Sequence, residues 1–536
     1  MQRLVDLFEA SSARHPERPF VAVPALPGRA YLPRGAEWSY AETAARVEAL
    51  ESLYRAAGYG HGHRVALLLE NRPEMYLHWF ALNRLGAVPV PLNPYYRADE
   101  LSYVVGHSEA DLAVAVPERR AELRGICQAL ERPIETIDVY APPRRLPGPR
   151  AAPLGGPPGL GSEAALLYTS GTTGRPKGCR LPNEYFLSAA RWYAEAGGLI
   201  RFEVGRERLI NPLPLFHANA LAIASMGMLA CAGCMIVPDR FHASTWWRDV
   251  IETGATICHY LGIMPPVLLN LPPAPEERLH KLRFAVGGGI DPEQHAAAEA
   301  RFGMPFIELW GMTECAVPCF ASVEPRQVGT RAFGKPAHDV EASIVDDDDR
   351  PLPFGRPGEL VIRRRGPDPR RGFFLGYLKN ETATEEAWKD GWFHTGDTCT
   401  RDADGMLHFV DRKKNIVRRS GENISAAEVE GVLQAAPEVA QAAVLAVRDE
   451  LRQEEVMACI VPKAGVAGDR AAAERIFQWC SERLAYYKAP AWILFLDSLP
   501  TTSTQKVQKH QLFGKDVDPR TLPGAMDFRP LKKDRR

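Results

Sequence analysis

Apolar residues in the first third of the chain alternate between two rhythms. Tyr40 to Ala57 spaces them as an amphipathic helix does, and Glu74 to Leu85 reads as a second helix. Short continuous apolar runs lie between and beyond: Arg64-Val65-Ala66-Leu67-Leu68-Leu69, Ala87-Val88-Pro89-Val90-Pro91-Leu92 and Leu112-Ala113-Val114-Ala115-Val116. Runs this short, bounded by turn residues, predict buried strands. Their alternation with helices predicts parallel sheets covered by helices. The pattern returns after residue 200, so a second α/β layer is expected.

Punctuation divides the rest. Pro142 to Gly161 is rich in Pro, Gly and Arg and reads as a linker or long surface loop. Asp346-Asp347-Asp348-Asp349-Arg350 suits a solvated hairpin turn. Beyond residue 412 the pattern changes to short strands and two helices, Ala426 to Ala435 and Ala471 to Ala485, as in a small α+β domain. Lys515 to Arg536 has little apolar periodicity and is expected to be poorly ordered. The expected organisation is a large α/β N-terminal domain of stacked sheets over 1–411, a small domain over 412–514 and a flexible tail over 515–536. Ala220 to Pro238 carries no charge, but its Ala, Gly, Ser, Met and Cys content suits a buried helix and short strand better than a membrane span.

Composition narrows the function classes. A chain of 536 residues exceeds one ordinary core, and 46% hydrophobic with 24% charged residues is the balance of a soluble globular protein. Lys and Arg number 65 against 66 Asp and Glu, a net charge of −1, which argues against tracking a nucleic-acid backbone. A small anionic ligand stays open, because a local cradle needs no global charge. The 10 cysteines are too dilute for a disulfide framework and read as reduced thiols of a cytoplasmic protein. The close pairs Cys231/Cys234 and Cys315/Cys319 sit among small apolar residues and read as core fillers rather than zinc ligands. Met1-Gln2-Arg3-Leu4-Val5-Asp6 lacks a signal-peptide pattern.

The strongest chemical signal is Leu166-Leu167-Tyr168-Thr169-Ser170-Gly171-Thr172-Thr173-Gly174-Arg175-Pro176-Lys177-Gly178. An apolar strand enters a loop of hydroxyls and glycines. Glycines let the backbone approach a phosphate and line an anion nest, the hydroxyls add donors, and Lys177 adds a point charge. The spacing is not that of a Walker loop.

This loop resembles the phosphate-binding signature of the adenylate-forming superfamily: acyl-CoA synthetases, luciferases and peptide-synthetase adenylation domains. Further matches follow in that family's order. They are Pro212-Leu213-Pro214-Leu215-Phe216-His217, Ala285-Val286-Gly287-Gly288-Gly289, Leu309-Trp310-Gly311-Met312-Thr313-Glu314 and Gly391-Trp392-Phe393-His394-Thr395-Gly396-Asp397. Then come Phe409-Val410-Asp411-Arg412-Lys413-Lys414, Arg419-Ser420-Gly421-Glu422-Asn423-Ile424 and the stretch Leu499 to Lys506. The Trp392-to-Gly421 stretch looks most like the carnitine and crotonobetaine–CoA ligase branch.

The resemblance implies an ATP-dependent acid–CoA ligase. A carboxylate would attack the α-phosphate of ATP, and a thiol would then take the acyl group from the adenylate. Relatives that keep one half-reaction, adenylate for a carrier protein, or use the adenylate for oxidation stay open. It also implies that the small C-terminal domain is mobile and rotates between half-reactions about a hinge at Lys414. ATP, Mg²⁺ and CoA are the implied cofactor set. The implied partners are these and a carboxylic acid, and a homodimer is left open.

Residue by residue, the resemblance carries over as follows. Thr169, Ser170, Gly171, Thr172, Thr173, Gly174 and Lys177 face phosphates. Gly288, Gly289, Trp310, Gly311, Met312 and Thr313 line the nucleotide, with Trp310 where an adenine-side tyrosine is usual. Glu314 is the Mg²⁺ ligand, a hard oxygen donor. Asp397 accepts the ribose hydroxyls, with Arg412 beside it. Lys506 stabilises charge during adenylation and counts as catalytic with Glu314, Thr169 and His217. His217, Asn219, Met264, Gly287 and Cys315 line the acyl side. Arg419, Ser420, Gly421, Glu422 and Asn423 form the CoA-side loop. Gln505, Ala426 and Ser420 depart from the family's usual Gly, Pro and Gly. Small apolar walls suggest a largely uncharged acyl body.

Overall fold

The computed structural model describes residues 1–169, 175–290, 292–412, 416–500, 509, 512–514 and 517–532. The chain divides into two compact units. The larger comprises Met1–Pro94, Val105–Leu167 and Gly178–Asp411; the smaller comprises Tyr95–Val104, Tyr168–Lys177 and Arg412–Arg536.

In the larger unit the apolar runs near the N-terminus form a parallel sheet. Its order is Val88–Pro91, Arg64–Leu68, Leu112–Ala115 and Glu135–Asp138, the last a strand the sequence pattern does not announce. The helix Tyr40–Ala56 starts at a reciprocal cap: Ser39 Oγ accepts the Glu42 N–H at 3.1 Å and the Glu42 carboxylate accepts the Ser39 N–H at 2.8 Å. The helix Glu74–Leu85 ends at Gly86, whose φ of +72° suits the left-handed stop. Tyr76, Trp79 and Phe80 of this helix are fully buried.

A second, larger sheet carries most of this unit's remaining strands. From Phe306–Met312 it runs through Phe284–Gly288, Ile257–Leu261, Arg208–Ile210 and Cys234–Ile236 to Pro19–Val23, every neighbouring pair parallel. On the other side of Phe306–Met312 the sheet turns antiparallel through Ala316–Phe320, Ala332–Pro336 and Leu407–Arg412, and on to Trp392–Arg401, Gly358–Arg364 and Val340–Val345.

The uncharged stretch after residue 219 lies inside this unit. A π-helix, Asn219–Ala224, runs into the α-helix Ser225–Ala230, and the buried strand Cys234–Ile236 follows. Asn219 Oδ1 accepts from His259 Nδ1 at 2.8 Å and from Asn211 Nδ2 at 3.3 Å, and Tyr193 O–H donates to His259 Nε2 at 3.0 Å. The network holds His259 as the Nδ1–H tautomer. Among the described residues no helix is long and apolar enough to cross a membrane. All 10 cysteines are free and buried, and burial pushes the thiols of Cys234 and Cys258 up to about 12.

The smaller unit has a sheet ordered Glu422–Ser425, Ile416–Arg419, Gln453–Pro462, Trp492–Phe495 and Met526–Asp527, with Val439–Asp449 also paired to Gln453–Pro462. Its helices are Ala426–Gln434 and Arg470–Arg483. The tail expected to be poorly ordered beyond Lys515 closes this sheet instead. Met526–Asp527 pairs with Trp492–Phe495, and the fully buried Phe528 stacks on Phe477 with ring centroids 5.1 Å apart. Arg529 reaches Asp449 at 2.9 Å, and Lys532 reaches Glu455 at 2.7 Å. Single anchoring side chains hold this segment, and they leave no periodicity to read.

Burial gives the larger unit an acid sensitivity. His78 and His259 are fully enclosed, and burial lowers each imidazole to about 3. Unfolded, each takes up a proton near pH 6.5; folded, each stays neutral. Their stabilisation is complete above pH 6.5 and is lost as pH falls toward 3. The expected loss is about 2 kcal/mol per histidine between pH 6.5 and 5. Urea denaturation at those two pH values checks it, and His259→Gln should flatten the difference by one histidine's share.

Candidate active site

Four neighbouring parallel strands of the larger sheet end at one edge, and each hands over a motif there. Arg208–Ile210 leads to Asn211 and the turn ending at His217. Ile257–Leu261 leads to Met264, which opens the helix Met264–Leu269. Phe284–Gly288 delivers Gly288 and Gly289, and Phe306–Met312 delivers Trp310 to Glu314. Ligands of open α/β sheets bind beyond the carboxyl ends of the strands, because there the loops from several strands converge.

The glycine turn is held from behind. Gly289 N–H donates to Glu308 Oε2 at 2.8 Å, Ile290 N–H donates to Oε1 at 3.4 Å, and Tyr260 O–H also donates to Oε1. Burial pushes the Glu308 carboxyl above the usual range, against the charge-favouring Tyr260 and Gly289 hydrogen bonds. A Cβ at Gly287 would lie 2.2 Å from the Tyr260 carbonyl oxygen, so only glycine fits beside that strand. Nothing in the motif itself points to Glu308 or Tyr260. The signal available was an acidic residue in an otherwise buried strand.

Trp310 and Asp397 each sit at an irregularity in their strand. The pairing of Phe306–Met312 with Ala316–Phe320 shifts between Trp310 and Met312. There Gly311 packs so closely that a Cβ would lie 2.1 Å from the Ala316 carbonyl oxygen. The pairing of Gly358–Arg364 with Trp392–Arg401 shifts opposite residues 394–398. Such bulges re-aim side chains. Here they bring the Trp310 indole N–H to Asp397 Oδ2 at 2.9 Å, with both residues buried. The Asp397 N–H donates to Thr395 Oγ1 at 3.1 Å, and that hydroxyl donates to the Leu360 carbonyl at 2.7 Å.

Glu314 is buried, and its Oε1 accepts from Tyr377 O–H at 2.8 Å. Burial first, and the Glu314 charge second, push the Tyr377 phenol far above its ordinary value, so it remains a donor. The Tyr377 segment also carries the strand that leaves the Gly-rich loop. Phe374 N–H donates to the Glu314 carbonyl at 2.9 Å, and Leu378 N–H donates to the Gly178 carbonyl at 2.8 Å. One short segment thus ties Glu314 to the outgoing end of that loop. Tyr377 was not among the sequence candidates.

Other candidates are placed less directly. Thr169 ends the strand Glu163–Thr169 and Lys177 opens Lys177–Pro182, while Ser170, Gly171, Thr172, Thr173 and Gly174 lie outside the described residues. Met312, which ends its strand, and Thr313, which opens the turn after it, are half-buried. His217 is half-buried beside Phe216, its N–H donating to the Pro214 carbonyl at 3.0 Å. Asn219 spends its Oδ1 on the His259 network, and Met264 and Cys315 belong to the core. Met264 and Cys315 support the walls of the edge.

In the smaller unit, Arg419 and Glu422 pair across a hairpin whose two loop residues, Ser420 and Gly421, have φ of +49° and +90°. Positive φ at both central residues is what the tightest hairpin turns need. Arg419, expected on the CoA side, instead turns inward. It is buried, and its Nε donates to Glu455 Oε1 at 2.6 Å. A paired, buried guanidinium holds the hairpin to the sheet, which leaves Ser420, Gly421 and Glu422 nearer the surface. The Asn423 and Arg412 side chains, Lys414 and Lys506 lie outside the described residues.

Glu308→Leu should cost about 2 kcal/mol or more of stability, because it removes the acceptor of two buried donors, the Ile290 N–H and the Tyr260 O–H. Glu308→Gln keeps an acceptor and should cost less. Urea denaturation of both variants checks the order.

The comparisons agree with this geometry. Residues 8–378 match the AMP-binding enzyme family, and residues 428–506 match the AMP-binding enzyme C-terminal domain. The crotonobetaine/carnitine–CoA ligase of Escherichia coli O45:K1 is 29% identical over 490 residues, covering 89% of this chain and 93% of that protein. A double mutant of o-succinylbenzoate CoA synthetase from Bacillus subtilis, bound to a product analogue, is similar in structure with a TM-score of 0.81. It is 25% identical, with 97% of this chain and 99% of that one covered. A malonyl-CoA ligase bound to methylmalonyl-CoA and AMP gives a TM-score of 0.74 at 30% identity, covering 90% of this chain and 97% of its own. With matched residues running through both the strand edge and the smaller unit, the chain belongs to the AMP-binding enzyme family.

Proposed function

We propose an assignment of this chain's residues to the two steps of ATP-dependent acid–CoA ligation. The enzyme is an AMP-forming acyl-CoA synthetase. A carboxylate oxygen attacks the α-phosphorus of ATP, the bond to the β-phosphate oxygen breaks, and pyrophosphate leaves. The resulting acyl-adenylate is a mixed anhydride. A CoA thiol then attacks its carbonyl carbon and AMP leaves, carrying the electron pair of the broken bond.

The observation that carries the assignment is the strand edge, where Trp310, Asp397, Glu314 and the Gly288–Gly289 turn are all supplied within the larger unit. Asp397 accepts the ribose hydroxyls, and Trp310 with the glycine turn lines the adenine. The loop from Thr169 to Lys177 holds phosphates through amides, hydroxyls and one ammonium. Lys506 bridges the acid's carboxylate and the α-phosphate, where negative charge is redistributed as the bond forms.

Mg²⁺ fits Glu314. The ion is commonly held by one or two carboxylates together with substrate phosphates, and Glu314 offers one buried, oriented carboxylate. When bound, the ion supplies charge neutralisation of the phosphates. The acyl side lies near His217 and the small apolar residues after it, which suits an acid with an uncharged body. The Ser420–Gly421 hairpin serves the thiol step, and Lys414 is the hinge.

A panel of carboxylic acids with ATP, Mg²⁺ and CoA, scored separately for pyrophosphate release and thioester formation, tests the assignment. An acid that yields both products in equal amounts is expected. Pyrophosphate without thioester would point instead to a carrier-bound acceptor. With that acid, Lys506→Ala should cut pyrophosphate release by about 10²-fold or more and largely spare thioester formation from a supplied acyl-adenylate. Equal loss of both steps would remove Lys506 from adenylation.

A further inference from the structure

We infer that Trp310 is a positioning residue for Asp397, acting through its indole N–H as well as through the face of its ring. The inference rests on the reading of Asp397 as the ribose-binding carboxylate. Trp310 Nε1 lies 2.9 Å from Asp397 Oδ2, and the two residues are 6% and 3% exposed, so water does not compete for the bond. The ring is itself fixed against Phe333, with centroids 5.9 Å apart and planes at 30°.

The physical consequence concerns orientation. A carboxylate rotates broadly about its last single bond, and two adjacent sugar hydroxyls need its oxygens in one plane. A donor fixed on Oδ2 sets that plane before the nucleotide arrives. The backbone does the same for the base of the side chain, because the Asp397 N–H is tied to Thr395 Oγ1 at 3.1 Å. The indole is also neutral. An arginine or lysine in its place would orient the carboxylate but draw off charge that makes it a strong acceptor. Preorganisation of this kind lowers the ordering cost of binding.

The test needs no knowledge of the acid. AMP, 2′-deoxyAMP and 3′-deoxyAMP are titrated by calorimetry into the wild-type chain, Trp310→Phe and Asp397→Ala. Wild type should lose about tenfold in affinity for each hydroxyl removed, the scale of a hydrogen bond to a charged group. Asp397→Ala should bring that penalty to about twofold or less, since the acceptor is gone. Trp310→Phe should shrink the penalty to about threefold while binding the deoxynucleotides nearly as wild type does, apart from a common change in ring stacking.

A Trp310→Phe chain that keeps the full tenfold penalty would overturn the inference, even if all three nucleotides bind more weakly, because that is the behaviour of an adenine wall alone. A full penalty in Asp397→Ala would instead overturn the ribose reading and the inference with it. If Trp310→Phe folds poorly, replacing Trp310 with 3-benzothienylalanine, which exchanges only N–H for sulfur, is judged on the same ratio.

Discussion

Parallel strands that stop at a common edge are the constraint on which the site depends. Arg208–Ile210, Ile257–Leu261, Phe284–Gly288 and Phe306–Met312 are neighbours in one sheet, and hydrogen bonding fixes their ends relative to one another. Each motif lies at or just beyond the end of its strand, so residues far apart in sequence become neighbours without a dedicated contact between them. Asp397 and Tyr377 come from the antiparallel continuation and the segment before it, and they complete the edge.

The polar chemistry at that edge follows one rule. Glu308 accepts from Tyr260, Glu314 from Tyr377, and Asp397 from Trp310. Each carboxylate is held by an aromatic side chain that packing already immobilises. Such a donor fixes direction at little further entropic cost, and being neutral it does not cancel the carboxylate's charge. Carboxylates prepared in this way suit sugar hydroxyls or a divalent ion. The smaller unit handles its buried charge differently. Arg419 and Lys532 meet Glu455 from two sides, an arrangement that anchors the hairpin and the C-terminal segment together. Burial, with Arg419 nearby, lowers Lys532 to about 7.

Much of the fold was legible because its signals are local. The helices Tyr40–Ala56 and Glu74–Leu85 announce themselves by spacing, and the strands at 64, 88 and 112 by apolar runs between turns. The C-terminal segment was illegible for the opposite reason. Phe528, Arg529 and Lys532 are held by long-range contacts, and isolated residues form no pattern. Arg419 misled for a related reason: a charged residue beside an exposed turn can face either side of its strand, and only its partner Glu455 decides which.

The sequence by itself determined the chemistry on offer: a hydroxyl- and glycine-rich loop, the ordered series of motifs from Pro212 to Lys506, and the α/β alternation that makes a strand edge possible. Glycine at 287 and 311 was written there too, though the crowding that demands it was not. Only the tertiary structure decided which groups meet. It paired Trp310 with Asp397 and Tyr377 with Glu314, and it put Glu308 behind the Gly288–Gly289 turn. These pairings span 87, 63 and 19 residues. Hydrogen-bond direction across such separations depends on strand register and on bulges, and these are set by the packing of the whole sheet rather than by any local run of residues.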